Sequence, residues 1–165
     1  MSQSTAPTPA TNKRHRIGVL VAMAILLMSL SVILQGDKET ETILVTFPNG
    51  KQLEGEVANT PEKLLFGLAF RNDMPAGSAM LLIFEQSGPH RVWTKAYRFP
   101  VDMVWVDESK HIVHIVEGIL PCEKDPCPRY GPPPSDARYV LQTRAGVVRE
   151  AQITLGMELK FTLVM

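Results

Sequence analysis

The chain has 165 residues, with 17 Lys plus Arg balanced by 17 Asp plus Glu for a formal net charge of zero. Much of the N-terminal positive charge sits in one short block, so the rest has no general basic excess, which argues against nucleic-acid binding. Setting aside the N-terminal segments leaves about 123 residues, enough for one domain that buries roughly two-thirds of its unfolded surface.

Residues 1–12 are rich in Ser, Thr, Pro and Gln and read as a disordered cytoplasmic tail. Lys13, Arg14, His15 and Arg16 form a basic block, followed by an uncharged run from Ile17 to Leu34. As a helix that run is about 27 Å long, close to the roughly 30 Å hydrocarbon core of a bilayer. The basic block favours the cytoplasmic side, so 13–34 reads as a signal anchor that spans the inner membrane once and places the C-terminal domain in the periplasm or extracytoplasmic space. Cleavage and secretion is the alternative. However, the apolar run exceeds a usual signal-peptide core, and Ser29-Leu30-Ser31 is a weak site that would leave an apolar stub. A buried core helix fits less well, because only Ser29 and Ser31 offer a polar face. Residues 35–42 are polar and charged and read as a linker.

Residues 43–165 are mostly strand-like. Ile43–Phe47 and Gln52–Ala58 flank Pro48-Asn49-Gly50, where Asn-Gly accepts positive φ, so they form a hairpin with Leu53, Gly55 and Val57 on one face. Thr60 caps a short helix, Pro61 suits its first position and Glu62 its positive end, while Gly67 ends it and Leu64, Leu65 and Leu68 face the core. Ala79–Glu85 is wholly apolar up to its last residue and reads as a central strand. Arg91–Lys95, Val101–Asp107, His111–Glu117, Arg138–Thr143 and Leu159–Val164 read as further strands. Residues 118–136 form a loop with six prolines. About eight short strands and one clear helix suggest a β-sandwich or partly closed barrel.

Cys122 and Cys127 lie in Pro121-Cys122-Glu123-Lys124-Asp125-Pro126-Cys127-Pro128. In an oxidising compartment they pair, restricting the unfolded chain by about 2 kcal/mol; two free thiols is the other reading. The spacing suits neither a zinc site nor a redox-active pair.

The order of several elements resembles the family called domain of unknown function 192. Val57-Ala58-Asn59-Thr60-Pro61-Glu62 leads into Gly67-Leu68-Ala69-Phe70-Arg71, similar to a Gly-Leu-Met-x-Arg element after a short helix. Ala79-Met80-Leu81-Leu82-Ile83-Phe84 resembles the strand that follows. Trp93, Lys95, Pro100 and Asp102 fall on a Trp-Met-Lys-Asn-Thr…Pro-Leu-Asp element. Cys122, Cys127 and Pro128 match a Cys-x4-Cys-Pro loop, and Arg138-Tyr139-Val140-Leu141 the start of an Arg-Tyr-Val-Leu-Glu strand. The resemblance implies a compact, often exported, jelly-roll-like β-sandwich with one short helix and no established activity. This chain departs from the pattern at Thr94, Ala96 and Tyr97, and at Gln142, where the family carries Glu.

By strand alternation Asp102 shares a face with Val104 and Val106, so its carboxylate points into an apolar layer and needs a partner. Lys95, Arg71 and Arg138 are the candidate cations. With Trp93 as an aromatic wall and Gln142 nearby, Arg71, Lys95, Asp102 and Arg138 would form a polar pocket for a cell-envelope carbohydrate or protein ligand. The same ion pair could instead serve only to fix the chain near Pro100. A polysaccharide hydrolase or lyase using Asp102 is the enzymatic alternative. It needs a second placed carboxyl group, and Gln142 stands where one would help. His111 and His114 are three apart in a β-branched run, so they point to opposite strand faces and do not converge on a metal. No nucleophile elbow or phosphate-binding glycine loop occurs, and no cofactor is implied. These residues favour a membrane-tethered binding or interaction module over an enzyme.

Overall fold

The computed structural model describes residues 12–34, 41–131 and 136–164. The chain divides into two units, an N-terminal one ending at Glu39 and a domain from Thr40 onward. The described part of the first unit is one helix, α1 (Asn12–Leu34). Its described side chains, from Arg16 to Ser29, are all exposed. Among the described residues no helix is long and apolar enough to cross a membrane. The expected tail, most of the linker and the triple proline at 132–134 lie outside the described residues.

The domain is mainly β, a curled half-barrel made from one seven-stranded sheet. Its hairpin is β1 (Thr42–Thr46) and β2 (Gln52–Ala58). Along β2, Leu53, Gly55 and Val57 are buried while Gln52 and Glu54 face out, as a half-buried strand requires. α2 (Pro61–Phe66) follows, with Thr60 Oγ1 accepting the Lys63 N–H at 3.3 Å. It connects β2 to β3 (Ser78–Gly88), which runs parallel to β2; the other strand pairs are antiparallel. Then come β4 (Val101–Val106), β5 (Ile112–Ile119), β6 (Ala137–Arg144), α3 (Val147–Glu150) and β7 (Lys160–Val164). The sheet order is β5-β4-β6-β3-β2-β1-β7, so the apolar β3 is central, as its composition predicts.

Of the two expected architectures, the half-barrel agrees with the partly closed barrel, while the two-sheet jelly-roll sandwich does not form. One sheet is buried on both faces instead, each with its own core. Val104, Val106, Leu81 and Leu141 point to one face, packed with Val148, Ala151, Ile153 and Leu159 from α3 and the segment after it. Met103, Trp105, Leu82 and Val140 point to the other, beneath Leu68, Met74, Val92, Tyr97 and Phe99. Coverage on both sides explains why β4 is buried at every position.

Three local expectations change. Residues 91–95 form only isolated bridges, Val92 to Tyr130 and Lys95 to Cys122. Ala96 at φ 60° turns the chain before a strand can extend. Leu65 faces solvent, because Leu64 and Leu68, four apart, take the inner face of the helical turn. α3 is absent from the sequence pattern because it is one turn long. Near the C-terminus Leu159 is buried and Phe161 packs against the first core; the side chain of Leu163 lies outside the described residues.

Candidate functional site

The residues at the end of α2 and just after it build one wall of an open concave surface. Gly67, at φ 51°, turns the chain with its N–H on the Lys63 carbonyl at 2.8 Å. Phe70 is held at φ 65° by its N–H on the Ala96 carbonyl at 2.9 Å. Arg71 then clamps the loop to β2, donating to both carboxylate oxygens of Glu56, at 2.7 Å to Oε2. Hydrogen bonding to Arg71 holds the Glu56 carboxyl below its usual range, and the same bond raises Arg71.

Opposite this loop, Trp93 donates Nε1–H to the Leu65 carbonyl at 3.4 Å. The Thr94 hydroxyl donates to the Leu120 carbonyl at 2.9 Å, and the Cys122 N–H to the Thr94 carbonyl at 3.1 Å. These bonds fix the segment to the loop closed by the Cys122–Cys127 disulfide. Lys95 pairs with Asp125 of that loop at 2.7 Å, and Lys95 and Arg129 lie over the Trp93 ring at 5.8 and 5.1 Å. Between the two segments runs a groove of about 330 Å³ lined by Leu65, Phe66, Ala69, Phe70, Trp93, Lys95 and Ala96. A smaller hollow of about 150 Å³ lies on the other side of Trp93, between Leu64, Phe84, Arg91 and Arg129.

Of the residues singled out from sequence, Trp93 and Lys95 meet at this groove, and Arg71 anchors the loop that forms its wall. The others are elsewhere. Asp102 is fully buried. Its Oδ1 accepts the Gly118 N–H at 2.8 Å, and its Oδ2 accepts those of Gly146 and Val148 at 2.8 and 3.1 Å. The expected cation partner is therefore replaced by three backbone donors: Arg71 is on Glu56, Lys95 on Asp125 and Arg138 on Glu108 at 3.2 Å. Asp102 works as a structural cap, joining β4 to the end of β5 and to the start of α3. Arg138 lines neither hollow. Gln142 is fully buried on the opposite sheet face from Asp102, with its Oε1 accepting the Tyr97 hydroxyl at 3.1 Å. Burial raises the Tyr97 phenol above its usual range. The Nε2 of Gln142 has no partner among the described residues.

Sequence reasoning missed Leu65, Phe66, Phe70 and Arg129. The two phenylalanines flanking Gly67 were the available signal, but an apolar side chain gives no sign by itself of pointing outward. His111 is exposed and His114 half-buried, in keeping with opposite faces. Among the described residues no group of three His, Cys, Asp or Glu is placed to hold a metal.

Fold and surface together define a small mainly-β domain with an open apolar groove, in which the carboxylate of Asp102 is sealed in the interior. The chain belongs to the DUF192 family, described as "Uncharacterized ACR", whose model matches residues 44–161. No curated protein matches it. Two solved structures share the fold. One, from Sinorhizobium meliloti 1021 and described as a candidate transcription regulator, is 25% identical with TM-score 0.64, over 74% of this chain and 93% of that one. The other, a protein of unknown function from Novosphingobium aromaticivorans DSM 12444, is 18% identical with TM-score 0.65, over 72% of this chain and 83% of that one.

Proposed function

We propose that the protein is a membrane-tethered, extracytoplasmic binding module whose binding surface is the groove beside Trp93. The observation that carries this reading is the groove itself, an open apolar concavity of about 330 Å³ beside which Leu65, Phe66 and Phe70 are exposed together. The tether is supported by the uncharged run Ile17–Leu34 behind a basic block. Support also comes from the helical conformation of Asn12–Leu34 and the exposure of every described side chain along it.

The lining argues about ligand chemistry. Lys95 is the one charged wall residue, and the rest are apolar or aromatic. A sugar needs several directed hydrogen bonds as well as a ring to stack on, so an apolar envelope component suits this groove better than a carbohydrate. The hydrolase alternative loses its support, because both oxygens of Asp102 are taken by backbone donors in a fully buried position. A nucleic-acid role, suggested by the description of the Sinorhizobium protein, finds no support in a domain with slightly more acidic than basic residues.

Inner-membrane vesicles of both orientations, treated with protease, test the placement. The domain should be digested only when the extracytoplasmic face is outward; digestion from the cytoplasmic face overturns it. In the same membranes, photo-crosslinking through the groove should capture an envelope component and lose it in Trp93→Ala.

A further inference from the structure

Leu65, Phe66 and Phe70 are 54, 50 and 64% exposed, and the two phenylalanine rings lie 6.0 Å apart. They are not a loose surface. The loop carrying them is pinned by Gly67 to Lys63, by Phe70 to Ala96 and by Arg71 to Glu56. A fixed apolar ridge of this kind remains exposed only if something covers it in the working protein.

Its position in the fold indicates what covers it. Glu56, which holds Arg71, pairs in the β1–β2 register with Thr42, the first residue of β1. Just before it, the Glu41 carbonyl accepts the Val57 N–H at 2.9 Å, and the Glu41 carboxylate accepts from Asn59 at 3.2 Å. The ridge and the point where the chain joins the domain therefore share one end of the sheet. Seven residues separate Leu34 from Thr42, and their full extension is about 25 Å. Beside the ridge, Arg91 and Arg129 are exposed, make no ion pair among the described residues, and flank Trp93 from the smaller hollow. Aromatic rings at headgroup depth with Arg reaching the phosphates are the pattern of a lipid interface.

We infer that this ridge docks on the anionic surface of the bilayer that holds the protein's own helix, with Phe66 and Phe70 entering the interface and Trp93 at headgroup level. This rests on the tether proposed above. Each anchor contributes modestly, but the tether raises the local concentration enough for weak contacts to hold.

The test uses the full chain reconstituted in vesicles of phosphatidylcholine and phosphatidylglycerol, with bromine on the acyl chains near the headgroups. The protein has two tryptophans, and Trp105 is fully buried, so it serves as the internal reference. Trp93 emission should be lost in brominated vesicles and recovered in Phe66→Ser/Phe70→Ser, with Trp105 emission unchanged as the sign of an intact fold. Phe66→p-benzoylphenylalanine should crosslink to lipid. Unquenched Trp93 in a chain that resists carbonate extraction overturns the docking alone, as do crosslinks from position 66 to a second copy or to another protein. Release of the whole chain by carbonate overturns the tether and the docking with it.

Discussion

The Tyr97 hydroxyl donates to Gln142 Oε1 at 3.1 Å, deep on one face of the sheet. These are two of the positions at which the sequence departs from its family's pattern, and the fold puts them in contact. Together they form a neutral phenol–amide pair in a buried position. The backbone N–H of Leu68 also meets the Tyr97 hydroxyl, so the pair is closed off by the turn that follows α2. At Gln142 itself this face of β6 is fully buried, and the accessible surface lies further out, at Trp93.

Removing the phenol should therefore be costly, because it strips Gln142 of its one partner among the described residues. Tyr97→Phe leaves a buried amide unsatisfied at both ends and should destabilise the fold by about 2 kcal/mol. Adding Gln142→Leu should return much of that loss, since replacing both partners by apolar groups is nearly neutral. A urea double-mutant cycle measures this, and additive losses would show that the two residues are not coupled. The pair also has a pH signature. Tyr97 is raised in the fold, so its contribution is complete below the ordinary tyrosine range and is lost as pH rises through the folded value. Wild-type stability should fall in alkali more steeply than that of the double variant.

Gly67 should tolerate no side chain. A Cβ there would lie 2.7 Å from the Tyr97 oxygen and 3.5 Å from Gln142 Oε1, at a φ of +51°. Gly67→Ala combines a steric overlap with an unfavourable backbone and should cost about 2 kcal/mol or more. In Tyr97→Phe the oxygen is gone, so the same substitution should cost less; thermal unfolding of the four chains reads the difference.

What the sequence made legible was local and periodic. The alternation of Gln52–Ala58, the Asn-Gly turn, the Thr60-Pro61 helix start and the unbroken apolar run of β3 each follow from residues within a few positions of one another. Strand alternation also placed Asp102 on its correct face. It could not name the partners, because these come from Gly118 near the end of β5 and Gly146 before α3, at φ 63° and 96° and distant in sequence. Nor could strand number alone separate two sheets from one sheet covered on both sides, since a doubly buried strand looks the same in either. Phe66 and Phe70 were hidden for the opposite reason: their hydrophobicity points inward by rule, yet Phe66 sits on the outer side of α2 and Phe70 follows the turn at Gly67.

Asp102 should prove indispensable to folding rather than to any chemistry. Asp102→Ala would leave three backbone N–H groups without their acceptor, that of Val148 in the core, and should cost about 3 kcal/mol or more. Asp102→Asn keeps the shape but sets an amide NH₂ against at least one N–H donor, so it should lose about 2 kcal/mol. Hydrogen exchange in these variants should rise first at Gly146 and Val148, where α3 begins. Lipid docking in Asp102→Asn, once folded, should be unchanged; a selective loss of docking would restore the residue to a binding role.

The disulfide should matter to the groove as well as to stability. Cys122→Ser/Cys127→Ser removes a short closed ring and should cost about 2 kcal/mol on the chain-entropy account. Its loop carries Asp125, the partner of Lys95, and Arg129, which lies over Trp93. Opening the ring should therefore loosen both cations and shift Trp93 emission to the red, while Trp105 stays fixed. An unaltered Trp93 spectrum would mean that the Trp93 segment keeps its place without the staple.

The Glu56–Arg71 pair gives the last prediction, and its sign follows from the direction of the shift. Glu56 is held below its ordinary value of 4.5 chiefly by its hydrogen bond to Arg71, which stays protonated throughout. Its contribution is therefore present above the unfolded carboxylate range and disappears as pH falls through the lowered folded value. Both side chains are 39% exposed, so solvent screening limits the contribution to about 1 kcal/mol at most. Glu56→Gln should unfold at lower urea than wild type at pH 7, and the two midpoints should converge once the wild-type carboxyl is protonated. The variant should also release the loop that carries Phe70, seen as faster amide exchange at Phe70 and Arg71. A gap in midpoint that stays constant into strong acid would show that packing, not the ion pair, holds the loop against β2.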